Sequence, residues 1–118
     1  MNFAQSAITT AVVVSASQAS TVTSAAVDLL QYEGRMLLLQ NKGTGTGTLA
    51  GKLQHSADGS TGWTDAGPAF AVATTTANLQ SLDFDQNALQ RFVRYVGTIV
   101  TGPHLLGVTL IGIRKYAP

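Results

Sequence analysis

The stretch Arg91-Phe92-Val93-Arg94-Tyr95-Val96-Gly97-Thr98-Ile99-Val100 decides the fold class. Arg91, Val93, Tyr95, Gly97 and Ile99 fall on one side of an extended chain; Phe92, Arg94, Val96, Thr98 and Val100 fall on the other. Its β-branched and aromatic side chains suit a pleated surface, and a helical period of 3.6 cannot sort them into two faces. The segment is a strand with one buried side.

Similar strands lie on both sides of it. Downstream, Gly102-Pro103 turns the chain, and Leu105 to Arg114 is a last strand rich in Leu, Ile and Val. Upstream, Asn78 to Phe84 alternates, and Asp85 to Gln90 predicts one helical turn capped by Asp85. Leu49, Gly51 and Leu53 face one way in Leu49 to Ser56, while Lys52 and Gln54 face the other. Asp58-Gly59-Ser60 marks a tight turn. Trp63 to Asp65 and Ala69 to Val72 predict short strands separated at Gly67-Pro68. Met36 to Leu39 is apolar at every position, the mark of a mostly buried strand over Arg35 to Asn41. Val27 to Leu30 precedes a turn expected at Glu33-Gly34, and Lys42 to Thr48 reads as a glycine-weakened loop. Many short strands between Gly-, Pro- and Asp-containing turns predict an all-β fold, two sheets packed as a sandwich, with jelly-roll connectivity among the options.

Residues 1–26 stand apart. They hold no charged side chain and are rich in Ala, Ser, Thr and Val. Thr9 to Ser15 and Thr21 to Ser24 can form strands, and the segment is expected as an N-terminal arm or exchanged strand on a sandwich of residues 27–118. Lys and Arg are missing before Arg35, which argues against a secretory leader. No run of about 20 apolar residues predicts a membrane-spanning helix.

Composition narrows the function. The chain has 118 residues, 45% apolar and 11% charged, with a net charge of +1. An average soluble protein is roughly 25% charged. A surface this poor in charge repels neighbours weakly, which favours packing against partners. The seven Lys and Arg residues are dispersed, so no nucleic-acid footprint is expected. With no Cys, disulfides, thiolate catalysis and sulfur metal sites are excluded.

Catalytic motifs fail on spacing. A phosphate loop ending at Gly51-Lys52 needs glycine at position 46, where Thr46 stands, and Ser or Thr at position 53, where Leu53 stands. His55 and His104 are isolated and are expected at the surface or in loops. Asp83 and Asp85 share a strand face without a third carboxylate nearby, so a solvated or Arg-paired role is expected, with Arg91 or Arg94 as the candidate partners. Trp63, after the Asp58-to-Gly62 turn, is expected to cover the end of the core; as an exposed ring it would instead be a sugar platform. No catalytic residue, metal ligand or cofactor is assigned, and the chain is expected to bind or assemble rather than catalyse.

Two segments carry a resemblance. Lys52 to Asp65, with Asp58-Gly59 in the turn and Trp63-Thr64-Asp65 after it, resembles a pattern in small structural proteins of tailed-phage virions, and so does Arg91 to Ile99. The likeness extends over roughly Val27 to Lys115. It implies a head decoration or cement protein, often a homotrimer, that bridges and stabilises major capsid protein subunits. The implied location is the head surface, and the host cytoplasm during assembly; nucleic acid and membrane are not implied partners. The expected contacts are Thr9, Thr10, Val12, Val14, Thr21 and Thr23 in the arm, with Arg114, Lys115 and Tyr116 at the C-terminus. The alternative is a carbohydrate- or receptor-binding tail domain, with Trp63 and Tyr32 stacking on the ligand.

Overall fold

The structure, a computed structural model, describes residues 7–114. Nine strands run through them: β1 (Ala7–Gln18), β2 (Val22–Thr23), β3 (Val27–Asp28), β4 (Tyr32–Gly45), β5 (Thr48–Ser56), β6 (Thr64–Asp65), β7 (Asn78–Asp85), β8 (Phe92–Val100) and β9 (His104–Arg114). The alternation expected for residues 91–100 is present: Val93, Tyr95 and Gly97 are buried and Thr98 is exposed.

Pairing is antiparallel and nested. β1 pairs with β9, β2 and β3 with β8, β4 with β7, and β5 with β6. The pairs β9–β4 and β8–β5 join these into two sheets, ordered β1-β9-β4-β7 and β2-β8-β5-β6. β2 and β3 share one strand position beside β8. Two sheets whose strands pair first with last, inward to the middle, are a jelly-roll sandwich.

The core lies between the sheets. The first contributes Val13, Met36, Leu38, Phe84, Leu106, Val108 and Leu110; the second contributes Leu49, Leu53, Val93 and Tyr95. Fully burying one such side chain contributes roughly 1.5–3 kcal/mol. Gly51 and Gly97 oppose each other in the second sheet. A Cβ at either would collide with the Tyr95 side chain, so the glycine pair is the seat of that ring. The Tyr95 hydroxyl donates to Gln40 Oε1 at 2.5 Å, tying the two sheets together.

Several local expectations are corrected. Gly34 is no turn: it lies within β4 at φ 70°, where the register against β9 slips between Glu33 and Leu37. A bulge needs a left-handed residue there, and glycine supplies it. The turn falls earlier, at Leu30, whose N–H is accepted by the Asp28 carboxylate. The glycine-rich loop is mostly strand, since β4 runs to Gly45 and β5 starts at Thr48. Backbone pairing there outweighs the low propensity of glycine. Ala69 to Val72 forms no strand, but Phe70 N–H and Ala73 N–H donate to the Gly51 and Leu49 carbonyls along the β5 edge.

The described part of segment 1–26 lies in the sandwich. β1 is an edge strand of the first sheet, with Val13 in the core and Ile8 and Val12 packed against it. Val22 and Thr23 pair with Gly97 and Val96.

Candidate interaction surfaces

The outward side of the first sheet follows from its register. With Met36, Leu38 and Gln40 pointing in, Leu37, Leu39 and Asn41 point out. Leu37 stands opposite Ile111 on one side and Asp83 on the other; Leu39 stands opposite Thr109 and Ser81. Thr9 and Ala11 of β1 extend these rows past Ile111 and Thr109. Farther along, Val14, Leu79 and Leu105 are 74%, 67% and 53% exposed. Charged side chains on the described part of this face gather at one end, at Glu33, Arg35, Asp83 and Asp85. Arg35 Nη2 and Asp83 Oδ2 are 2.7 Å apart, and Nε donates to Oδ1 at 3.2 Å. This hydrogen-bonded carboxylate raises the Arg35 pKa. Beside the pair lies a hollow of about 340 Å³, floored by Leu37, Ile111 and Ile113.

The outward side of the second sheet is different in kind. Arg94, Gln54 and Asp65 form one cross-strand row. Arg94 Nε donates to Gln54 Oε1 at 2.9 Å, and Gln54 Nε2 donates to Asp65 Oδ1 at 3.1 Å. Lys52 Nζ lies 3.0 Å from the same Oδ1. These contacts, the Gln54 bond foremost, lower the Asp65 pKa. The Arg94 guanidinium carbon sits 4.4 Å from the centre of the Trp63 ring. The turn leading to Trp63 is held by Asp58, which accepts from Ser60 N–H and Thr61 N–H, each at 2.9 Å. Those bonds hold its carboxyl below the ordinary range.

The expected contact residues do not share one surface. Thr9 and Val14 are exposed, but Thr10 hydrogen-bonds the Tyr32 hydroxyl and Val12 packs on the core. Thr21 and Thr23 are exposed beside β8, at an edge of the second sheet. Arg114 ends β9 opposite Tyr32, with its side chain outside what is described; Lys115 and Tyr116 lie outside the described residues.

Other expectations change. Tyr32 is 1% exposed and cannot stack on a ligand. Trp63 is half-buried on the outer side of the second sheet, not an end cap of the core. His104 is fully buried with neither ring nitrogen hydrogen-bonded, while His55 Nδ1 accepts from Gln90 N–H. Asp83 pairs with Arg35, Asp85 caps the short helix Gln86–Ala88, and Arg91 pairs with Asp28. Lys42 is buried too, its Nζ donating to the Gly43 and Thr76 carbonyls. Among the described residues, no three His, Asp or Glu side chains cluster as a metal site.

The outer apolar face is not among the expected contacts, yet the sequence carries a signal of it. Met36 to Leu39 and Val108 to Ile113 carry large apolar residues at both parities, whereas a strand with one wet side alternates.

The class defined by these features is a jelly-roll β-sandwich with an apolar outer face on its first sheet and a polar row beside Trp63 on its second. The chain is similar to the SPBc2 prophage-derived protein YomS, with a TM-score of 0.58 and 14% identity over 91% of this chain and 92% of that one. It is also similar to PirA, with a TM-score of 0.47 and 18% identity over the same shares. The first likeness shows a shared fold. No family model and no curated protein sequence matches the chain.

Proposed function

We propose that this protein is a structural component of a phage particle, a head decoration or cement protein that bridges major capsid protein subunits, and not an enzyme. The observation that carries the reading is the outer face of the first sheet, where Leu37, Leu39, Ile111 and Ile113 are only half-buried by the chain itself. Contiguous apolar surface on a soluble domain marks an interaction site. Repeated over a symmetric shell, modest contacts of this kind sum through avidity. The strand-and-turn resemblance of Lys52 to Asp65 and Arg91 to Ile99 supports a virion role, as does a fold shared with a prophage-derived protein. Self-association, as a trimer, and residence on the head surface belong to the same reading.

Mixing purified protein with capsids that lack it tests the proposal. Co-sedimentation at a fixed stoichiometry is expected, and folded protein that stays in the supernatant sinks it. The half-buried Trp63 beside a polar row favours a second reading, a carbohydrate- or receptor-binding tail domain.

A further inference from the structure

We infer that the row Arg94–Gln54–Asp65, flanked by Trp63 and Lys52, is a binding subsite for neutral saccharides. The inference takes up the residue on which the second reading rests and does not depend on the capsid reading.

The chemistry lies in which atoms remain free. Gln54 and Lys52 both reach Asp65 Oδ1. Asp65 is exposed, and its Oδ2 has no hydrogen bond among the described residues, so it faces solvent as an acceptor. Arg94 uses Nε on Gln54, leaving its two Nη groups as donors. Carboxylate and guanidinium therefore present an acceptor and donors from one sheet row. Because the Gln54 amide lies between them, they suit separate hydroxyls of one saccharide, each of which both donates and accepts. The half-buried indole beside them has the Arg94 guanidinium over its ring, and the rest of its surface is what it offers to sugar C–H groups.

A polyanion fits less well: Lys52 is paired with Asp65 and Arg94 lies over the Trp63 ring, so the two cations make no uniform positive field. The site is also held in place before binding: Asp58 fixes the turn before Trp63, and strand register fixes the row. Little ordering is left to occur on binding, which favours affinity.

Trp63 is the sole tryptophan, so its fluorescence reports this site directly. The full chain would be titrated with maltotriose, cellotriose and chitotriose, and with a heparin oligosaccharide as the anionic control. A saturable emission change with at least one neutral sugar, little affected by salt, is expected. By calorimetry Trp63→Ala should weaken that binding roughly tenfold. Asp65→Asn should weaken it too, while Trp63→Phe retains part of it. Circular dichroism checks that each variant is folded; should Trp63→Ala fail to fold, Asp65→Asn and Trp63→Phe carry the test. The inference is overturned if no neutral sugar alters the emission, if folded Asp65→Asn binds as the parent does, or if only heparin binds. Capsid co-sedimentation is a separate readout, so either idea can fail without the other.

Discussion

Tyr95 and Gln40 are the polar pair on which the contact between the sheets turns. Tyr95 is fully buried, and burial pushes its phenol pKa up, so the hydroxyl keeps the proton it donates. Gln40 Nε2 has no partner, so Oε1 is the one satisfied end of that amide. Tyr95→Phe leaves both ends unpaired and should cost about 1–3 kcal/mol, read as a lower urea midpoint. Asp58 makes a different, pH-dependent contribution. Its folded pKa is depressed, so the unfolded state binds more protons, and stability rises with pH across the interval between the two values. The contribution is fully present above the unfolded value of about 3.9 and is lost as pH falls toward the folded one. Asp58→Asn should therefore flatten the acid limb of a stability–pH curve below about pH 4, with little change in its shape near neutrality.

At the scale of elements, β1 is the informative case. It is a 12-residue edge strand without a charged side chain, and its register slips between Ala11 and Val13 and again between Val13 and Ala16. Such irregularities blunt an edge that charge does not protect. The strand is also the outer neighbour of β9, whose Leu106, Val108 and Leu110 are core residues. A chain lacking residues 1–18 would uncover the β9 edge. It should be recovered mainly as aggregate, and equal solubility with an unchanged melting curve would show that β1 is dispensable. Loss of capsid binding in such a truncation would not by itself implicate β1 in docking. Point substitutions on the exposed face are the cleaner instrument.

At the scale of the molecule, the two outer faces divide the chemistry. The first sheet offers half-buried Leu and Ile; the second offers Lys52, Gln54, Asp65 and Arg94 around Trp63. Leu39→Lys places a charge in the apolar face without touching the core. On the particle reading it should abolish co-sedimentation with capsids while shifting the melting temperature little, because surface changes usually stay within about 0.5 kcal/mol. Undiminished capsid binding by the folded variant would show that this face is not the docking surface.

Fold class, most strand positions and the two-sided sorting of β8 were legible from the sequence, because alternation is a local property that sets which side chains can share a face. The grouping of Gly51 with Leu53 in β5 and of Val93 with Tyr95 in β8 follows from it; the Asp85 cap follows from the capping preference of Asp. The site was far less legible. Arg35 meets Asp83 across 48 positions, and Arg91 meets Asp28 across 63, separations at which no local pattern selects the partner. His104 and Tyr32 are buried because their strand positions face the other sheet, which no local pattern announces. The sequence by itself determined that these residues form a two-sheeted β domain poor in charge. Only the tertiary structure decided which sides of the strands meet solvent. The nested pairing sets Leu37 beside Ile111 and Arg94 beside Gln54, and that register depends on contacts between strands far apart in the chain.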